Sequence, residues 1–292
     1  MTFARCCAAM SAASLLPFVL WAPLGWEALP PRGAPRSVHV YNMWDQQVPY
    51  AQALTWQRRL LAEHVAVLRA DATGDGAAAG LTDTLLLMQH PPVLTLGTSS
   101  TLDNVRDDSP PFELVRTERG GEVTYHGPGQ LVLYPILNLR AYRQDVHWYM
   151  RSLEEVAIRV AHSLGLPAGR EPGLTGVWIE QAKVCAIGVK LSRWVTMHGL
   201  ALNVDVRLED FSHIVPCGIA DRPVTSLSKE LRERATSSEA AGQLSSASLE
   251  TVQQLLLQHF SEVFDVELAT QTLDGQAPWR EQEVSAEVAS AT

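Results

Sequence analysis

The spacing of apolar positions lays out the chain before any single residue does. Leu54, Leu61, Val65 and Leu68 recur at helical intervals and predict an amphipathic helix over about residues 50–70. "TLLLMQH" and "VLTLG" are short apolar runs around Pro91–Pro92 and predict two strands joined by a turn. "LVLYPILNL" (131–139) is almost wholly apolar and reads as a buried strand. Val146, Met150, Leu153, Val156, Ala157, Val160 and Leu164 mark a second helix, closed near Gly165. Residues 176–206 then read as three strands: "VWIE", "KVCAIGVKL" and a run ending in "LALNV". Their turns fall at Gln181–Ala182 and near Ser192–Arg193. Thr225 or Ser226 can cap a short helix through "SLSKEL", and Ser248 a last one carrying Leu249, Val252, Leu256, Phe260 and Val263. No internal repeat is visible. The sum is an α/β domain of the α+β type, about 230 residues long, with helices around a mixed β-sheet.

The two ends differ from this body. Between Arg5 and Glu27 there is no charge, and the stretch is rich in Ala, Leu, Pro and Trp. A transit peptide fits the Ser and Ala content and the lack of acids before Glu27. A secretory signal or a membrane anchor fits the apolar run, although Pro17 and Pro23 weaken an anchor. Residues 1–37 are expected to be a targeting or disordered extension, 38–273 the folded domain and 274–292 a disordered acidic tail. Residues 235–247, rich in Ser, Ala, Thr and Gly, read as a linker.

Composition narrows the partners. The 292 residues are 46% hydrophobic and 19% charged, enough apolar surface for a filled core. A net charge of −9 argues against nucleic acid as the main partner, since phosphate binding needs a basic surface. Of four cysteines, Cys6 and Cys7 lie in the extension, which leaves Cys185 and Cys217 in the body. That is no disulfide scaffold and no zinc-site spacing, so a reducing compartment and no metal are expected.

Four segments can carry chemistry. "RGGEVTYHGPGQ" (119–130) holds four glycines, which let backbone approach a ligand, although taken alone an ordinary glycine turn is the better explanation. It lacks the ending of a phosphate loop and the spacing of a dinucleotide fingerprint. In "KVCAIGVK" (183–190), strand alternation puts Lys183, Cys185 and Ile187 on one face; Lys183 also reads simply as a strand-end lysine reaching water. "MHGLALNV" sets His198 beside a glycine, as His126 is set beside Gly127, and both fit a structural role as well as substrate orientation. In "VPCG", Pro216 and Gly218 flank Cys217 at a bend, where its sulfur is either a nucleophile or a small buried hydrophobe. A free thiol is only about 3% thiolate at neutral pH. A nearby cation that lowers its pKa by about two units raises that to roughly three quarters, a shift of about 2.7 kcal/mol.

Taken in order, "RGGEVTYHGPGQLVLYPILNL", "TGVWIEQAKVCAIGVKLSRWVTMHGLALNV" and "FSHIVPCGIADRPVTSLSKEL" resemble the octanoyltransferases of lipoate synthesis, also called lipoate–protein ligase B. The resemblance runs from about residue 38 to about 270. It implies the biotin/lipoate ligase-type catalytic fold. It also implies transfer of an octanoyl group from octanoyl-acyl carrier protein to a lysine of lipoyl domains, on 2-oxoacid dehydrogenases and the glycine cleavage H protein. The family's nucleophile falls on Cys217 and the lysine that lowers its pKa on Lys183. The acyl-binding backbone falls on Arg119, Gly120, Gly121, Glu122, Val123, Thr124, Tyr125 and His126, on Ala186, Ile187 and Gly188, and on Gly199, Leu200 and Ala201. A thioester donor is already activated, so no ATP or other cofactor is expected. A monomer is expected, in an organelle that makes fatty acids: the mitochondrion first, with plastid or cytoplasm as alternatives. Arg140, Arg143, Lys190 and Arg193 are candidates for the basic patch that meets an acidic carrier protein, though each also reads as a plain solvated charge. Three rival readings stand beside this one: an ATP-dependent lipoate ligase; a cysteine hydrolase using Cys217, His198 or His126, and Asp221; and a non-catalytic acyl- or lipoyl-domain-binding protein.

Overall fold

The computed structural model describes residues 36–73, 82–106, 110–215, 222–237 and 247–271. Cys217 and Asp221, most of the 235–247 linker, nearly all of the N-terminal extension and the whole acidic tail lie outside the described residues.

Among the described residues one sheet of eight strands forms the body. The strands are β1 (Arg36–Gln47), β2 (Asp83–Gln89), β6 (Gln130–Ile136), β7 (Ala168–Gly169), β8 (Val177–Ile179), β9 (Ala182–Ser192), β10 (Val195–Asn203) and β11 (Val266–Gln271), in the order β11-β1-β2-β6-β10-β9-β8-β7. β1 is parallel to both β11 and β2, and the remaining pairs are antiparallel, so the sheet is mixed. A small second sheet takes β3 (Val93–Leu96), β4 (Glu113–Arg116) and β5 (Thr124–His126) in the order β4-β3-β5. The two strands flanking Pro91–Pro92 are therefore not partners: β2 belongs to the large sheet and β3 to the small one.

Both faces of the large sheet are covered, which explains why its central strands are apolar without a break. Leu85 and Leu87 of β2 and Leu131 and Leu133 of β6 face the helices α2 (Val146–Ser163) and α4 (Leu249–Phe264), meeting Leu153, Val156, Leu256 and Phe260. Their alternates Leu86, Met88, Val132 and Tyr134 face α1 (Tyr50–Thr73) and pack with Ala53, Leu54 and Leu61. Each fully buried side chain of this kind stabilises the fold by about 1.5–3 kcal/mol before entropy is counted. The small sheet covers a third cluster of Leu94, Leu96, Val123, Tyr125, Phe211 and Ile214.

The helix ends follow local chemistry. The Asp145 carboxylate accepts from the N–H groups of His147 (2.9 Å) and Trp148 (3.1 Å), which caps α2; these bonds hold its carboxyl below the usual range. Gly165, at φ +78°, follows its end. Ser248 accepts from Thr251 N–H at 3.1 Å and caps α4. Ser226 accepts from Lys229 N–H at 3.3 Å and caps α3 (Leu227–Ser237), which runs into the stretch read as a linker. β6 stops at Ile136, short of the predicted 139, and residues Leu139–Ala141 form a 3₁₀ turn. β1 begins at Arg36, two residues inside the stretch assigned to the extension.

Candidate active site

A cavity of about 620 Å³ opens on β9 and β10, within the range of small-molecule sites. It brings together the three glycine-bearing segments. Its lining includes Arg119, Gly120, Gly121, Glu122, Thr124 and His126; Lys183, Ala186, Ile187 and Gly188; and His198, Gly199, Leu200 and Ala201. Two expected residues fall elsewhere. Val123 and Tyr125 sit in the cluster beneath the small sheet, where the Tyr125 hydroxyl donates to Asp210 Oδ2 at 2.7 Å. Val132 and Tyr134, from the apolar run 131–137 that suits an acyl tail, complete much of the wall with Tyr50, Met150 and Leu174, for which no local signal in the sequence pointed to a cavity.

Backbone proximity shapes the cavity. Gly120 N–H donates to the Val189 carbonyl at 2.9 Å, which seats the Arg119–Gly121 loop on β9. Gly188 pairs with Gly199 across β9 and β10. A Cβ on Gly199 would lie 2.2 Å from the Leu133 carbonyl oxygen, so β6 and β10 can approach this closely only at glycine. Arg119 is 8% exposed; its Nη2 donates to the Thr95 carbonyl (2.7 Å) and hydroxyl (2.9 Å), which fixes it as a strut of the loop.

Lys183 is the second residue of β9 and is 7% exposed. Its Nζ lies 4.9 Å above the Trp178 ring. Gly176, at φ +116°, leaves room for that side chain: a Cβ there would be 3.0 Å from Lys183 Cε and 2.6 Å from the Cys185 carbonyl oxygen. The Lys183 main chain is tied to the connector that follows Cys217. Lys183 N–H donates to the Pro223 carbonyl, and Thr225 N–H to the Lys183 carbonyl, both at 2.9 Å. The other side of that connector is held too, by Val215 N–H donating to the Asn104 carbonyl at 2.8 Å.

Strand alternation failed at Cys185. β8 pairs Val177 with Cys185 but Trp178 with Lys183, so Val184 is an extra residue. The bulge leaves Lys183 on the cavity and sends Cys185 into the apolar core, 0% exposed. Burial raises the Cys185 thiol far above its ordinary value, and Lys183 opposes this only in part. Cys185 is therefore a buried hydrophobe.

Burial keeps three of the buried histidines, His90, His126 and His198, neutral. His90 donates from Nδ1 to the Val48 carbonyl (2.6 Å), and its Nε2 accepts from the Tyr134 hydroxyl (2.7 Å); burial lowers it to about 4. His126 Nδ1 donates to Gln130 Oε1 at 2.7 Å. Gln130 Nε2 in turn donates to Asn203 Oδ1 (2.8 Å), and Asn203 Nδ2 to the Thr225 carbonyl (2.9 Å). This chain fixes the His126 tautomer with Nε2 unprotonated, where it accepts from the Thr95 hydroxyl at 3.4 Å, and burial holds the ring well below its ordinary pKa. His198 is lowered to about 3 by burial first and the Arg119 charge second. No group of three His, Cys, Asp or Glu among the described residues is placed to hold a metal ion, and no described helix is long and apolar enough to cross a membrane.

Comparison with known proteins agrees with this architecture. The profile of the lipoyl protein ligase A/B catalytic domain matches residues 49–261. A chloroplastic octanoyltransferase of Arabidopsis thaliana is 43% identical over 243 residues, covering 82% of this chain and 83% of the relative. The octanoyltransferase of Synechocystis sp. is 50% identical, covering 75% and 87%. Among solved structures, lipoate-protein ligase A bound with ATP aligns with a TM-score of 0.59 at 14% identity, over 82% of this chain and 90% of that one. The bipartite lipoate protein ligase of Thermoplasma acidophilum aligns at 0.58 and 16% identity, over 82% and 88%. At such identities the structures speak for the fold alone; the sequence relatives say more, and by them this chain belongs to the octanoyltransferases, acyltransferases built on the lipoyl protein ligase A/B catalytic domain.

Proposed function

We propose that this chain takes an octanoyl group from octanoyl-acyl carrier protein and delivers it to a lysine of lipoyl domains, through a thioester on Cys217. The observation that carries the reading is the position of Lys183. It lines the cavity with all three glycine segments, and its main chain is hydrogen-bonded at Pro223, six residues beyond Cys217.

The chemistry then runs as follows. The Lys183 ammonium stabilises the Cys217 thiolate, whose proton passes to water, so the reacting state is an ammonium–thiolate pair. The thiolate attacks the donor's carbonyl carbon, a new S–C bond forms, the old one breaks, and the carrier's thiolate leaves to be protonated from water. The acyl chain lies along the apolar wall of Ala186, Ile187, Leu200 and Ala201. The acceptor's neutral lysine amine next attacks the acyl-enzyme, the C–S bond to Cys217 breaks, and the sulfur recovers its proton from Lys183. Having given up that proton, Lys183 accepts the surplus one from the new amide nitrogen and is an ammonium once more. Donor and product differ by a thioester against an amide, so the transfer needs no ATP.

The catalytic domain in this reading is 38–273. Lipoyl domains are the acceptors, in keeping with a neighbour whose structure was determined as a ligase "and its E2 lipoyl domain". The protein works as a monomer. The chloroplastic Arabidopsis relative and the cyanobacterial ones favour a plastid over the mitochondrion as its compartment.

The test is intact-mass analysis after exposure to octanoyl carrier protein alone, followed by addition of lipoyl domain without ATP. An octanoyl adduct on Cys217, chased onto the lipoyl domain and abolished by Cys217→Ser, is expected. No transfer without ATP refutes the reading in favour of a ligase, and free octanoate as the main product favours a hydrolase.

A further inference from the structure

His198 is placed as a ligand-binding group that nothing so far uses. It lines the cavity and is 1% exposed, yet both ring nitrogens lack a hydrogen-bond partner. Behind it lie two more buried polar atoms without partners, Gln57 Nε2 and Glu118 Oε2. Gln57 belongs to this group because its Oε1 accepts the His198 N–H at 2.8 Å. Glu118 belongs because its Oε2 is 3.9 Å from His198 Nε2, beyond hydrogen-bond reach, while its Oε1 is held by Arg58 Nη2 at 2.6 Å. The 3.9 Å contact is an ion pair only with a charged imidazole, and burial keeps this one neutral. A neutral imidazole always offers one donor and one acceptor.

Such a cluster is costly. A buried polar atom left unpaired costs about 1–3 kcal/mol. The backbone adds to this: His198 sits at φ +58°, a left-handed conformation unusual for a histidine inside a strand. Orphaned polar atoms and strain that coincide on a cavity wall mark a place where a ligand completes the structure.

The position says which part of the ligand that is. His198 lies opposite Val189 on β9, six residues from Lys183, or about 20 Å along the strand. Ala186, Ile187 and Leu200 line the wall between, so an apolar stretch separates Lys183 from His198. An extended eight-carbon chain measures about 9 Å, so octanoyl alone leaves the His198 end without hydrocarbon.

We propose that His198, backed by Gln57 and Glu118, forms a second binding pole that takes a hydrogen-bonding group at the far end of a medium-chain acyl ligand. The proposal rests on the reading that the acyl carbonyl sits at Lys183. It extends the substrate class from plain hydrocarbon chains to acyl groups with a polar terminus.

The probes are ω-hydroxy acids of eight to twelve carbons and their unsubstituted parents. Binding is measured by calorimetry on the wild-type protein and on His198→Gly, a substitution that removes the ring without penalty at positive φ. At one chain length the hydroxy acid is expected to bind at least as tightly as its parent. His198→Gly then weakens it about tenfold more than the parent. The proposal is overturned if the hydroxyl weakens wild-type binding at every length, as an ordered water held at His198 would cause, or if His198→Gly weakens both series equally. Octanoyl transfer is followed in parallel. If wild-type protein fails to transfer while the hydroxyl preference holds, the transferase reading falls and the second pole stands.

Discussion

Gly176→Ala tests whether the room left for Lys183 matters to both fold and catalysis. An alanine here must adopt φ +116°, a strain of about 1–3 kcal/mol. Its Cβ would meet the Cys185 carbonyl oxygen at 2.6 Å, and that oxygen belongs to the strand and cannot swing away. Relief comes from moving the Gly173–Gly176 loop, which threatens the bond from Gly176 N–H to Glu154 Oε1 (3.0 Å), worth about 1.5–3 kcal/mol with a charged acceptor. The expected loss is about 3–5 kcal/mol, or about 6–20 °C in Tm for a domain of this size. Gly165→Ala is the control: φ is +78° but no atom lies within 4 Å of its Cβ, so only about 1–2 kcal/mol of strain applies. Urea midpoints at unchanged m-value give the two losses. Transfer rates, taken well below either transition, report on the lysine, whose Cε lies 3.0 Å from the new methyl; kcat should fall at least tenfold in Gly176→Ala and stay near wild type in Gly165→Ala. Equal losses of stability in the two variants would refute a steric role for Gly176. Its catalytic half fails if Gly176→Ala is destabilised but transfers at full rate.

Acid should destabilise the protein before ordinary carboxylates titrate. The folded state favours neutral His90, lowered to about 4, so the unfolded chain binds the extra proton between about pH 6.5 and 4. The stability this provides is full above pH 6.5 and lost as pH falls, by about 3 kcal/mol from His90 alone; a flat urea midpoint from pH 7 to 5 contradicts it. Glu154→Ala removes a carboxylate 1% exposed that Arg151 (2.7 Å), Arg170 (3.0 Å) and Gly176 N–H all reach, and should cost about 3 kcal/mol by denaturation, since Arg170 keeps Glu155 as a partner. A loss below about 1 kcal/mol shows the network to be dispensable. Charge reversal of Lys190 and Arg193 together should lower kcat/KM for octanoyl carrier protein about tenfold and flatten its salt dependence; unchanged values remove both from the docking surface.

The helices were legible because their signals are local. Ser248 marks one N-terminus, and the apolar spacing of α2 and α4 matches the side they bury. The central strands were legible as unbroken apolar runs because both faces of the sheet are covered. β1, β4 and β11 were not predicted, since each is half exposed and carries polar residues that break the run, as in "ELVR" and "VELATQ". The glycine segments were visible, but only tertiary structure shows that they share one cavity. The Val184 bulge depends on the register of β8 and has no signature within β9, which is why Cys185 was placed with Lys183. The isolation of the His198 ring was hidden for a similar reason: it depends on where Gln57 and Glu118 lie, far off in the chain.

The parallel pairing of β1 with β11 has a consequence for biosynthesis. Arg36 lies opposite Val266 and Tyr41 opposite Gln271, so the first strand to leave the ribosome awaits a neighbour made about 230 residues later. Until then its outer edge is an open template for other chains. Folding of the sheet therefore finishes with β11, and a premature stop after Asp265 would spare every described cavity residue yet leave a product prone to aggregate.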